Sequence, residues 1–272
     1  MRLALLQMTS GIDPAANARV LAEAVAEARS SGAVMIFTPE MSGLIDRERA
    51  ARAIASEADD TVLAAVRKAA AAHGVWVHLG SQPIRREDGR LANRGFVIDD
   101  GGRVCARYDK LHLFDIDLAT GERWRESAAY AAGEEAVAVW TPAGMLGLSI
   151  CYDLRFPALY QALSGAGATL LAVPSAFTRP TGAAHWHLLL RARAVECAAF
   201  VIAAAQTGLH EDGRETFGHS LVVDPWGEVL LDMGEAPGVA MFDTDLDRIA
   251  QVRGRLPVIE HRRAIPTVRT AS

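Results

Sequence analysis

Apolar residues recur along this chain in two periods, and the switches between them outline alternating strands and helices. Leu3–Met8 reads as a short strand and Pro14–Ser30, rich in Ala and Glu, as a helix that ends near Gly32. Val34–Phe37 is a strand that runs into Thr38-Pro39-Glu40. A second helix is expected over Ser56–His73, with Ser56, Asp59 or Asp60 as cap, followed by a strand over Val75–Gly80. Arg94–Asp99 and Arg103–Tyr108 flank an Asp-Gly-Gly turn and read as a hairpin. The apolar run Met145–Cys151 reads as a buried strand with Cys151 at its carboxyl end, turning into a helix from about Pro157 to Ser164. Thr169–Val173 is a strand stopped by Pro174. Gly182–Ala198 reads as a helix with Arg191, Arg193 and Glu196 on its polar side, and Phe200–Ala205 as an apolar strand. His219–Asp224 and Glu228–Asp232 form a hairpin around Pro225-Trp-Gly227. Val239–Phe242 and Leu246–Val252 are a last strand and a short helix. Strands outnumber helices, which suits helices packed outside a mixed sheet or outside two stacked sheets.

Composition narrows the function classes. Half of the 272 residues are apolar and 22% are charged, and no Pro-, Ser- or Gly-rich tract separates two halves, so one domain is expected. The net charge of −5 comes from 28 basic and 33 acidic residues that are interspersed, which argues against nucleic acid or an anionic membrane as partner. Cys105, Cys151 and Cys197 are odd in number and widely spaced, so neither a disulfide framework nor a cysteine zinc site is indicated. The apolar start Leu3–Leu6 is too short for a signal peptide, and no segment approaches a membrane span; a cytoplasmic protein is expected.

The candidate chemistry lies at strand ends. There is no G-x-S-x-G, no P-loop and no dinucleotide fingerprint. His185 and His187 would point about 200° apart on a helix, and His112, His210 and His219 are scattered, so no metal or other cofactor is expected. Glu40 follows one strand, Lys110 ends the second arm of the hairpin, and Cys151 ends a third strand. A helix N-terminus and a neighbouring cation would lower the pKa of Cys151, and a carboxylate of raised pKa could take the thiol proton. An ammonium and the backbone N–H of Tyr152 could hold an oxyanion. Taken singly, Cys151 reads equally well as a buried apolar residue and Glu40–Lys110 as a surface ion pair worth under about 1 kcal/mol.

Together, Thr38-Pro-Glu40, Lys110-Leu-His-Leu-Phe-Asp115 and Cys151-Tyr-Asp-Leu-Arg-Phe-Pro157 resemble the nitrilase superfamily of carbon–nitrogen hydrolases, from Leu3 to about Phe242. The resemblance implies a four-layer α-β-β-α sandwich, a core over 3–243 with a C-terminal extension over 244–272, and a homodimer or higher homo-oligomer. It implies hydrolysis of a small-molecule amide through a thioester on Cys151, with Glu40 as base, Lys110 at the oxyanion and Glu126 in support.

Pro174-Ser-Ala-Phe-Thr178, Leu190-Arg-Ala-Arg193, Ala203-Ala-Ala-Gln206 and Asp224-Pro-Trp-Gly227 resemble the Nit branch, and lean toward amidases of deaminated glutathione. His187 and Ala158 depart from a glutamate frequent at each place. An anionic 2-oxo acid needs a cationic receptor, for which Arg155 and Arg179 are candidates, with Tyr152, Phe177 and Thr178 beside them. Arg191 and Arg193 are expected in helix-surface or interface pairs. An ω-amidase, a nitrilase and a catalytically idle scaffold stay open as alternatives.

Overall fold

A computed structural model describes residues 1–47, 54–117, 121 and 123–271. Ser272, the last residue of the expected C-terminal extension, lies outside them. The first half runs β1 (Arg2–Gln7), α1 (Pro14–Ser30), β2 (Met35–Phe37), α2 (Thr61–His73), β3 (Trp76–Arg85), β4 (Leu91–Ile98) and β5 (Val104–Asp109). A ribbon follows, β6 (Asp115–Asp117) with β7 (Arg123–Arg125). The second half runs β8 (Ala138–Thr141), β9 (Gly144–Leu148), α3 (Pro157–Gly165), β10 (Leu170–Ala172), α4 (Arg179–Cys197) and β11 (Phe200–Ala203). It closes with β12 (Thr207–Leu209), β13 (Glu215–Phe217), β14 (Leu221–Val223), β15 (Val229–Asp232), β16 (Gly238–Asp243) and α5 (Asp247–Arg255).

Two six-stranded sheets result, ordered β16-β1-β2-β3-β4-β5 and β15-β14-β11-β10-β9-β8. The period of two decides which way each strand faces. Leu3 and Leu5 of β1, with Met35 and Phe37 of β2, join Leu146, Leu148 and Leu170 of the other sheet in one core. Ala4, Leu6 and Ile36 point the other way, onto Leu21 and Val25 of α1 and Val62 and Val66 of α2. On the far side, Leu159 and Leu163 of α3 and Trp186, Leu190 and Ala194 of α4 cover the second sheet. The layers are therefore helix, sheet, sheet, helix.

Several boundaries move. The second helix starts at Thr61, because the Asp60 carboxylate accepts from Leu63 N–H at 2.6 Å, and Ser56 instead bridges to Arg85. The helix expected from Gly182 starts at Arg179, with Pro180 in its first turn. Arg193 makes the expected helix pair, with Glu196 Oε2 at 2.8 Å, but is itself buried, donates to Leu154 O at 3.1 Å and lies 5.4 Å from the Tyr160 ring. Arg191 donates to Gly227 O at 2.8 Å and so fastens α4 to the β14–β15 turn. The short ribbons β6–β7 and β12–β13, and the edge strand β8, carry no apolar alternation that separates them from loops.

Candidate active site

The parallel strands β2, β9 and β10 discharge their carboxyl ends on one side, where open α/β sheets place reactive groups. Two steps past β2, Pro39 leads to Glu40, and β5 ends directly before Lys110, whose N–H donates to Asn93 O at 3.0 Å. Gly80 on β3 makes this possible, because a Cβ there would collide with the carbonyl oxygens of Thr38 and Pro39 and with the Pro174 ring. The strand before Cys151 ends earlier than its apolar run, at Leu148. Cys151 opens a single 3-10 turn to Arg155, at φ 50°. A left-handed backbone costs a residue with a Cβ on the order of 1 kcal/mol. The turn is held by Asp153, whose carboxylate accepts from Ile150 N–H (2.9 Å), Tyr108 O–H (2.7 Å) and His112 N–H (3.0 Å). Cys151 N–H itself donates to Pro174 O at 2.9 Å.

Lys110 is the hub. Its ammonium, 2% exposed, donates to Glu40 Oε1 at 2.8 Å and to Glu126 Oε2 at 2.9 Å. Asn93 spans the same carboxylates, its Nδ2 donating to Glu40 Oε1 at 2.9 Å and Glu126 Oε1 at 3.0 Å. Ala176 N–H donates to Glu40 Oε2 at 2.9 Å and Phe114 N–H to Glu126 Oε2 at 2.7 Å. Cys151 shares the buried pocket with Glu40 and Lys110, close enough for both charges to act on its thiol. Glu40, Lys110, Glu126 and Cys151 are thus brought together as the sequence predicts.

Their protonation differs from the expectation. Burial pushes Glu40 upward, but the charge of Lys110 and hydrogen bonds from Lys110, Cys151 and Asn93 outweigh it and hold the carboxyl below its usual range. Burial also opposes charge on Lys110, yet Glu126 and Glu40 keep its pKa well above that of a free amine. Burial and then the Glu40 charge push the Cys151 thiol well up, with Lys110 pulling only partly against them. The cation spends itself on two carboxylates, and the Glu40 charge acts on the thiol more strongly than the Lys110 charge. The resting set is therefore thiol, carboxylate and ammonium, not a preformed thiolate. It can deliver sulfur as a nucleophile only when Glu40 takes the proton in the same step.

These groups open into a cavity of about 380 Å³, lined also by Met41, Phe114, Trp124, Ala176, Thr178, Arg47 and Arg214. A larger groove of about 880 Å³, beside the start of α2, presents Arg67, Arg85, Glu87 and Asp88 but no thiol, lysine or histidine. Of the expected substrate contacts only Thr178 lines the cavity. The start of α4 turns Arg179 outward, where it pairs with Glu215 (3.2 Å) and Glu235 (2.9 Å). Arg155 rests its guanidinium 5.8 Å from the Tyr152 ring and 5.4 Å from Phe177, with Nη1 3.3 Å from His185 Nδ1. Phe177 packs on Trp186, and Tyr152 sits edge-on behind Phe114.

The cations facing the cavity are others. The guanidinium carbons of Arg214 and Arg47 lie 4.5 and 5.1 Å from the Trp124 ring centre, and Arg214 is almost wholly buried. No local signal marks them, since their segments lie far apart in the chain. Asn93 had one: a polar side chain on a strand among Leu91, Ala92 and Phe96. The histidines also regroup. His185 and His187 do diverge on α4, but His187 Nε2 and His219 Nδ1 each lie 2.9 Å from an oxygen of Asp232.

Comparison with known proteins places these features. The carbon–nitrogen hydrolase family model matches residues 2–254. A deaminated glutathione amidase of Yersinia enterocolitica is 37% identical over 270 residues, covering 98% of this chain and 94% of its own. The crystal structure of Saccharomyces cerevisiae Nit3, a member of branch 10 of the nitrilase superfamily, matches with a TM-score of 0.87 at 26% identity over 97% of both chains. An amidase of Nesterenkonia sp. AN1 matches with a TM-score of 0.80 at 29% identity, over 94% of this chain and 98% of that one. That structure is of a mutant of the amidase and shows the result of Michael addition of acrylamide at the active-site cysteine.

Proposed function

Because the chain belongs to the carbon–nitrogen hydrolase family and is an amidase, we propose that it hydrolyses deaminated glutathione to 2-oxoglutarate and cysteinylglycine through a thioester on Cys151. The observation that carries this reading is the buried Cys151 in one cavity with Glu40, which Lys110 and Asn93 hold in place. Relatives of that activity at 37–41% identity support the substrate.

Glu40 takes the thiol proton as Sγ attacks the amide carbon, and the carbonyl π pair moves onto oxygen. The Lys110 ammonium, two of whose N–H bonds are directed at glutamates, turns its third toward that oxyanion. When the tetrahedral centre collapses, the carbon–nitrogen bond breaks and Glu40 returns the proton to the leaving nitrogen. Cysteinylglycine leaves and an acyl thioester stays on sulfur. Glu40 then removes a proton from water as its oxygen adds to the thioester, and returns it to sulfur as the acid departs. Glu126 fixes the ammonium from its other side. Arg47 and Arg214 face the cavity with the charge that an anionic substrate needs. The chain works as a single domain, its core over 3–243 and an extension over 244–272, in a homodimer or higher homo-oligomer, as the family resemblance implies; the short apolar start supports a cytoplasmic site.

The test compares kcat/KM for deaminated glutathione, 2-oxoglutaramate and a simple nitrile in the wild type and in Cys151→Ser. Deaminated glutathione should lead by tenfold or more, and Cys151→Ser should lose at least about a thousandfold. A lead for 2-oxoglutaramate would overturn the substrate, and full activity in Cys151→Ser would overturn the cysteine route. No turnover of any amide would return the scaffold reading.

A further inference from the structure

We propose that His187, His219 and Asp232 form a binding site for a divalent transition-metal ion, best suited to Zn²⁺, outside the catalytic cavity. His187 lies in the third turn of α4, His219 between β13 and β14, and Asp232 at the end of β15. One donor atom from each lies within 4.8 Å of the other two, and none of the three residues lines the cavity of Cys151. Two imidazoles and one carboxylate are a familiar three-ligand zinc set, with a fourth position left to water. At zinc–ligand distances of about 2.0–2.2 Å, tetrahedral donors stand roughly 3.4 Å apart. His187 Nε2 and His219 Nδ1 meet different oxygens of Asp232, each at 2.9 Å, so a bound ion draws the two nitrogens and one of those oxygens together.

Backbone bonds and packing hold His219 and Asp232 in place. His219 holds a left-handed backbone, φ 55°, with its N–H on Gly234 O at 2.6 Å and its carbonyl accepting from Trp186 Nε1 at 2.7 Å. Its ring stacks on Phe217, with centroids 4.4 Å apart and planes at 23°. Asp232 Oδ1 also accepts from Gly234 N–H at 2.9 Å. His187 is the adjustable member, partly exposed on the helix, and it leaves an entry path from solvent. Occupancy would pin α4 to the edge of the second sheet.

Zn²⁺ titration by calorimetry, on tag-free full-length protein, tests the site. One equivalent should bind saturably, with a dissociation constant in the micromolar range or tighter, and should raise the melting temperature. Cys151→Ser should bind as the wild type does, which removes the catalytic thiol as the ligand. His187→Ala and Asp232→Asn should bind at least tenfold more weakly while keeping amide turnover. Co²⁺ should give a d–d spectrum without a thiolate charge-transfer band. No saturable binding, or equal binding in His187→Ala, whose partly exposed side chain makes misfolding no explanation, would overturn the proposal.

Discussion

At the scale of the residue, the site is defined by where its one mobile proton rests. Cys151 is held up and Glu40 held down, so the proton sits on sulfur throughout the neutral range. This sets the pH profile. Glu40 must be ionised, and because its pKa is depressed the acid limb of kcat/KM should fall below the ordinary glutamate value. The raised pKa values of Cys151 and Lys110 place the alkaline limb above that of a free cysteine. A rate profile flat from about pH 5.5 to 8.5 is expected. A limb near pH 7 would mean that some other group controls the reaction. Glu40→Gln should abolish amide turnover yet leave Cys151 open to alkylation by iodoacetamide, measured by mass spectrometry, because the thiol loses its base together with the charge that raises its pKa. Glu40, Lys110 and Cys151 were legible because each stands in a short contiguous motif, and Glu126 through the family resemblance those motifs carry. Their protonation was not, because it depends on Asn93 and on one lysine shared between two glutamates.

At the scale of the element, strand ends aim the chemistry, and close approaches between them are narrow tolerances. Gly80→Ala is the sharp probe. Its new methyl meets backbone oxygens of Thr38 and Pro39, which cannot swing aside as a side chain would. The loss should appear both in stability, by about 1–3 kcal/mol in urea unfolding, and in kcat through displacement of Glu40. An unchanged kcat would show that the Thr38–Glu40 segment does not depend on this contact. The longer elements were legible because their apolar period persists. Asp60 outcompeted Ser56 as cap because its carboxylate reaches Leu63 N–H, a geometric fact that either residue type allows. Cys151 looked like a strand terminus because Ser149 and Ile150 extend the apolar run, while pairing with β10 stops at Leu148.

At the scale of the whole molecule, the cavity is assembled from both sheets and from the loops that cross between them. Gln206 illustrates the join: its side chain donates to Ser10 Oγ at 2.7 Å and to Glu40 O at 2.9 Å, tying the first sheet's catalytic loop to the end of the second. Arg214 comes from the β12–β13 ribbon, Arg47 from the loop after Glu40, and Trp124 from β7. No linear motif could announce such a group, and Arg155 and Arg179 stand nearer to Cys151 along the chain than either cavity arginine. Arg214→Met should raise KM for deaminated glutathione by about tenfold or more, with a smaller change in kcat, as loss of one charge-assisted contact requires. If Arg179→Met had the larger effect, the outward ion pairs of Arg179 would have to break during binding.

The sharing of one ammonium by two glutamates has an electrical consequence. At rest, Lys110 and the two carboxylates sum to one negative charge with the thiol neutral. On the proposed route, the proton reaches Glu40 as charge appears on the substrate oxygen, so the sum stays at one negative. The charge migrates a short way around Lys110 and never enters or leaves the pocket. Little solvent outside need reorient as the reaction proceeds, so the chemical step is insulated from ionic strength, and salt can act only on how the anionic substrate arrives.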